Sequence, residues 1–188
     1  MTKHYTKQEL LQWIAEYYKT EQPLDREVEE QLTKSFGKNK QATMEEMVEL
    51  IKWKFDDKRN KNRRITELNH LKTIPEQCIT IITKKAFESG KSDEVRVELI
   101  KTIKGFGNAV CSVALTFYNP KKYCVFDIHA WRELFGHEKN AKDYDSTAAL
   151  LRFFEEIRKI SKETGLTCRE VEKAIFTKNY LETKKVIK

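Results

Sequence analysis

Two short constellations in this chain have residue types and spacing suited to chemistry. The first is Gly105-Phe106-Gly107, set between two apolar segments. The second is Asp127-Ile-His129-Ala-Trp-Arg132, whose acid falls twenty residues after Gly107. Glycine tolerates positive φ and lets another backbone come close, so two glycines around one apolar residue can make a very tight turn between helices. A helix restarting at Asn108 and Ala109 opens with unpaired amides and the positive end of its dipole, which suits a phosphate. Phe106 is expected to plug the turn into the core. Asp127 has an ordinary role as a helix N-cap, worth about 1 kcal/mol; its company, not its type, makes it a candidate for catalysis. His129 reads as a buttress of the helix start in preference to a catalytic group. Arg132 can contact phosphate or pair with a carboxylate, and Trp131 belongs to the core.

A third stretch is electrostatic. Lys58-Arg59-Asn60-Lys61-Asn62-Arg63-Arg64 carries five basic side chains in seven residues and no acid. It reads either as the solvated start of a helix or as a phosphate contact through Lys58, Arg59, Arg63 and Arg64. The whole chain has 36 Lys and Arg against 29 Asp and Glu, a net charge of +7. That excess concerns partners and not fold: nucleic acid or an anionic surface on one reading, a generally lysine-rich composition on the other. Cys78, Cys111, Cys124 and Cys168 are widely spaced and form no Cys-x-x-Cys pair. They are expected to be reduced and packed, with no structural zinc or iron–sulfur site and no other metal site. The N-terminus lacks an apolar core of signal-peptide length, and no run reaches membrane-spanning length. A soluble cytoplasmic protein with no membrane partner is expected.

The elements that must position these residues read as helices. Thr6 to Lys19 places Leu10, Leu11, Ile14, Ala15 and Tyr18 on one face. Pro23 ends the link that follows, Asp25 can cap a second helix through Val28, Leu32 and Phe36, and Gly37 sits where that helix ends. Thr43-Met-Glu-Glu46 is a capping box opening a helix with Met47, Leu50, Ile51 and Phe55 inward. A helical pattern through Leu68, Leu71 and Ile74 reaches Pro75, which can open the next helix at its first position. The β-branched run Cys78 to Ile82 could be a strand, but no partner strand exists, so helix is preferred. Ser92 can cap the helix carrying Val95, Leu99 and Ile103. Asn108 to Tyr118 is helical, Tyr123 to Phe126 extended, and Ile128 to Phe135 helical up to Gly136. Asp145 or Ser146 caps a long helix to about Glu163, and Thr167-Cys-Arg-Glu170 is a second capping box. The basic tail Lys184 to Lys188 is expected to fray. The expectation is an all-α protein of nine or ten short helices, residues 1–188 forming one domain or two small lobes sharing a core. Helices this short need tertiary packing to persist.

The spacing Leu99, Ile103, Gly105, Phe106, Gly107, Cys111, Ala114 and Leu115 resembles the helix-hairpin-helix element of DNA-repair proteins, here about 93–118. Joined to Asp127-Ile-His129, it resembles the helix-hairpin-helix DNA glycosylase superfamily, which includes endonuclease III and the 8-oxoguanine glycosylases. The Asp-x-His-x-Trp variant looks most like the 8-oxoguanine branch. The close resemblance covers Leu99 to Arg132. It implies a two-lobed helical fold and double-stranded DNA as partner, in a monomer associated with the nucleoid. It implies that the hairpin (Gly105, Phe106, Gly107, Asn108, Ala109) holds a phosphate, that a damaged nucleotide is flipped into a pocket between the lobes, and that Asp127 is the catalytic acid. Bifunctional members carry a lysine nucleophile two residues after the second glycine. Here that position is Ala109, so the resemblance implies a monofunctional enzyme using water. The cluster cysteines of endonuclease III are absent after Asp127, where only Cys168 lies, so no metal cofactor is implied beyond a monovalent cation on hairpin carbonyls. Members wedge a side chain beside the lesion. The corresponding region is Trp53-Lys54-Phe55, where Trp53 can stack on a base or pack in the core. Two other readings stand beside the enzyme: a non-catalytic helix-hairpin-helix DNA-binding protein, and a helical interaction protein charged for solubility.

Overall fold

A computed structural model describes residues 4–55, 60–136 and 144–186. The protein is all-α: among the described residues it forms ten helices and no strand. The chain divides into two compact units, Pro23–Asn119 and Met1–Gln22 with Pro120–Lys188.

The Pro23–Asn119 unit contains α2 (Pro23–Asn39), α3 (Met44–Lys54), α4 (Lys61–Lys72), α5 (Glu76–Phe87), α6 (Asp93–Lys101) and α7 (Asn108–Tyr118). Helix α7 is its axis. Every residue from Val110 to Phe117 is buried, and α2, α3 and α6 pack around it. Its polar side chains Ser112 and Thr116 donate back to the Ala109 and Ser112 carbonyls of the same helix, so it can lie inside the protein, and small Cys111 and Ala114 let its neighbours close in. Phe117 meets Phe36 of α2 and Trp53 of α3, at ring-centre distances of 6.2 and 5.0 Å, and Phe36 meets Phe87 at 5.8 Å. Buried Arg96 serves the end of α5: its guanidinium donates to the carbonyl oxygens of Ala86 and Glu88 and lies over the Tyr118 ring. The carbonyls a helix leaves unpaired at its C-terminus are thus satisfied by a charged donor.

The other unit contains α1 (Lys7–Thr20), α8 (Ile128–Phe135), α9 (Thr147–Thr164) and α10 (Cys168–Val186), with α10 packed on the other three. Tyr123–Phe126 forms no ladder but is wholly buried. Phe126 sits among Phe153, Trp131 and Tyr144, and Tyr123 against Phe154.

Several expected boundaries shift. Helix α2 begins at Pro23, so Asp25 lies in its first turn and does not cap it. Proline suits that position because its missing N–H would be unpaired there anyway. The same helix runs through Gly37 to Asn39, so Gly37 does not end it; a Cβ there would lie 3.9 Å from the Tyr118 carbonyl, an ordinary contact. Pro75 is the N-cap of α5, one place before its first helical residue. Ser146, not Asp145, caps α9.

The capping boxes form as spaced. Thr43 accepts from the Glu46 amide at 3.2 Å while Glu46 accepts from the Thr43 amide at 2.8 Å. Thr167 and Glu170 make the same exchange, and so do Thr6 and Glu9. The Thr6 hydroxyl, then the Thr6 amide, hold the Glu9 carboxyl below its ordinary range. A lowered carboxylate supports the fold above its unfolded pKa, and the support is lost as pH falls through the folded value. Thr43→Ala, which removes the side-chain cap of α3, should cost about 1 kcal/mol in urea unfolding.

Cys111, Cys124 and Cys168 are buried, but Cys78 is exposed, which corrects the expectation that all four are packed. Cys78 sits in the first turn of α5 while the inward face there is carried by Ile79, Thr83 and Ala86. Burial pushes the other three thiols up. The folded protein should therefore release one thiol equivalent promptly to an aromatic disulfide reagent at pH 8 and the remaining three only after denaturant.

Candidate functional site

The Gly105-Phe106-Gly107 turn joins α6 to α7. Helix α6 stops at Lys101, and the chain reverses through bonds from the Phe106 amide to the Ile103 carbonyl and from the Gly107 amide to the Gly105 carbonyl, each 3.0 Å. The two glycines do different work. Gly105 has φ +91°, open to glycine at no cost, whereas Gly107 has φ −77°, which any residue adopts. Phe106 is 3 % exposed and plugs the turn; Asn108 is also buried, and Gly105, Gly107 and Ala109 are half-buried. Gly107 is the N-cap of α7 and brings no side chain to bond its first amides. The turn therefore offers a ligand backbone, not side chains.

Gly105 is also pressed against α4. A Cβ there would fall on a Glu67 carboxylate oxygen and 2.7 Å from His70 Nδ1. Nothing lies within 4 Å of a Cβ on Gly107. The basic run before α4 is only partly placed: Lys58 and Arg59 lie outside the described residues. Arg63 is half-exposed, its guanidinium 4.9 Å from the centre of the Phe55 ring and its Nε 3.9 Å from Glu67 Oε1. Arg64 is half-buried. The Trp53 ring is half-buried on Phe117, and its N–H donates to the Asp25 carbonyl at 2.9 Å, while Lys54 closes α3.

Asp127 belongs to the other unit, as the N-cap of α8. Its backbone is extended at φ −132°, and Oδ1 accepts the His129 amide at 2.9 Å. The carboxylate is half-buried at the head of the helix. The chain reaches it through buried Phe126, and Ala130 and Trp131 fix the inner face of α8. The His129 ring stands edge-on to Phe176 and Tyr180 of α10, with Nδ1 3.0 Å from Asn179 Oδ1. This ring therefore ties the first turn of α8, and with it Asp127, to a long helix. Arg132 is half-buried in the last turn of α8.

Sequence reasoning missed three participants: Glu67 and His70 under the turn, and Asn179 beside His129. It also missed the buried Glu133, which accepts from the Tyr5 hydroxyl at 3.0 Å and from Lys178 at 2.8 Å. Burial, with the Glu133 charge, pushes the Tyr5 phenol far up. Burial alone would lower Lys178, but its hydrogen bond and charge pairing with Glu133 win and raise it. Stabilisation from a raised lysine is present below its unfolded pKa, so this link should persist to about pH 10 and weaken only above it.

Among the described residues no group of three or more His, Cys, Asp or Glu is placed to hold a metal, and no helix is long and apolar enough to cross a membrane. Any cation on the turn carbonyls would share those of Ile103 and Gly105 with the amides they already accept. Comparison of the chain with protein-family models, curated proteins and solved structures returned no match.

Proposed function

We propose that the chain is a monofunctional DNA glycosylase, hydrolysing the bond between a damaged or mispaired base and its sugar in double-stranded DNA. The observation that carries this reading is the setting of Asp127: a half-buried carboxylate, oriented by one amide at the head of α8, twenty residues after the Gly-Phe-Gly turn. The turn supports the reading separately. Its exposed chemistry is backbone, and a helix start without a side-chain cap accepts a phosphate well.

The steps follow from the chemistry. A stacked base is out of reach, so the nucleotide must leave the duplex first. As the C1′–N bond breaks, its electron pair leaves with the base and positive charge builds on the sugar, as in glycoside hydrolysis. Asp127 stabilises that charge and orients or deprotonates the water that attacks C1′. The products are a free base, which takes up the proton, and an abasic site. Ala109 cannot form a Schiff base, so the sugar is not attacked by the chain at that position. Duplexes carrying single damaged bases should give abasic sites that break only after alkali. Strand scission before alkali, or a covalent complex trapped by borohydride, would contradict the water mechanism.

One observation favours a second reading, a DNA-binding protein without catalysis. As an N-cap, Asp127 has a complete structural role already. That protein would bind DNA with strong salt dependence and release no base.

A further inference from the structure

The hydrogen bond between His129 and Asn179 fixes more than the place of a ring. An amide oxygen carries no hydrogen, so the hydrogen of this 3.0 Å contact with Asn179 Oδ1 belongs to His129 Nδ1. In the neutral imidazole that choice leaves Nε2 as the acceptor. Asn179 is 7 % exposed, and a buried polar side chain is costly to keep unless its hydrogen bonding is used. Stability alone does not call for an amide here: apolar side chains of matching shape on both partners would pack α8 on α10 about as well.

Phe176, Asn179 and Tyr180 stand at i, i+3 and i+4 on α10, which is one face of a helix. The His129 ring meets Phe176 at 5.6 Å and Tyr180 at 5.3 Å, nearly perpendicular to both, and those two rings stack on each other at 5.6 Å. The aromatic contacts set the plane of the imidazole, and the amide sets which of its nitrogens carries the hydrogen. The same residue holds Asp127, because the His129 amide donates to Asp127 Oδ1 at 2.9 Å. Helix α8 has eight residues, and so short a helix has little stability of its own. Its first residue, Ile128, is 37 % exposed, so the anchorage of the first turn falls to His129. Asn179 therefore reaches the Asp127 carboxylate through one intervening residue.

We propose that Asn179 is a positioning residue for base release: its Oδ1 holds His129 in the Nδ1–H form, and through that residue it aims the Asp127 carboxylate. The role rests on the reading of Asp127 as the catalytic acid. No proton moves and no bond forms at Asn179. The loss expected without it is that of misplacement, since a shift of about 1 Å in a reacting group costs about a hundredfold in rate.

Nitrogen-15 NMR of the full chain at about pH 8, with the His129 signals assigned by their loss in His129→Gln, should show a ring with hydrogen on Nδ1 and an acceptor at Nε2. A ring with hydrogen on Nε2 would mean that the Asn179 amide nitrogen donates instead, and would overturn the assignment. Single-turnover base release, on a lesion duplex from which the wild type releases base, should fall about a hundredfold in Asn179→Leu while DNA affinity changes less than about twofold. Asn179→Asp, which keeps an Oδ1 acceptor, should recover most of that loss. A purely structural role would lower the melting temperature of Asn179→Leu and leave the rate of its folded fraction unchanged, and that result would overturn the proposal. Asn179→Ala gives the same comparison where the leucine variant does not fold. A wild type that releases no base from any duplex removes the reading of Asp127 and the proposal with it; an active wild type matched by Asn179→Leu removes the proposal alone.

Discussion

Replacing Asp127 with asparagine should slow base release by about three powers of ten and leave DNA affinity nearly unchanged. Asparagine is as good an N-cap as aspartate, so its side-chain oxygen can still accept the His129 amide and α8 should form as before. The substitution removes the charge and little else. A carboxylate about 4 Å from the developing positive charge on the sugar contributes about 4 kcal/mol at an effective dielectric near 20, which converts to that rate factor. Single-turnover kinetics on a lesion duplex would measure the loss, and fluorescence anisotropy would measure binding. Full activity in this variant would remove Asp127 from the mechanism. Asp127→Ala is a poorer experiment because it also loses the cap, at about 1 kcal/mol.

The second large effect is expected at the turn, where the two glycines should part company. Gly105→Ala forces a β-carbon into φ +91° and onto the Glu67 carboxylate and His70 ring. Left-handed strain of about 1–2 kcal/mol and overpacking of about 1–3 kcal/mol should together cost about 3 kcal/mol in urea unfolding. Gly107→Ala meets neither penalty, with φ −77° and open space around its Cβ, and should change stability by less than about 0.5 kcal/mol. It does place a methyl group where, on the proposed function, a phosphate would approach the head of α7. DNA affinity should therefore fall in Gly107→Ala without a matching loss of stability. A helical protein with no DNA role would show no such split between the two sites.

The contrast between these glycines marks how far the sequence could be read. The turn itself, the helices flanking it and the capping boxes at Thr43 and Thr167 were legible because each depends on residues within a few places of one another. The role of Asp127 as the head of α8 was legible for the same reason. Which glycine needed positive φ was not, because Gly105 answers to Glu67 and His70 on another helix. His129 likewise answers to Asn179, fifty residues on. The misplaced end of α2 has a similar cause. Gly37 stays helical, at a propensity cost of about 1 kcal/mol against alanine, because Phe36 is buried beside Phe87 and Phe117 and holds that turn of α2 in place. Tertiary packing overrode a local stop signal there. Cys78 shows the reverse: an apolar-looking residue in a β-branched run that the helix turns outward.

The most direct test of the central claim is chemical and needs no variant. The wild-type chain would be incubated with duplexes each bearing one oxidised, alkylated, deaminated or mispaired base, and free bases would be quantified by mass spectrometry. Release of a base from at least one duplex, with a matching yield of alkali-labile sites, is the predicted result. Salt-sensitive binding to the duplexes with no free base from any of them would contradict it.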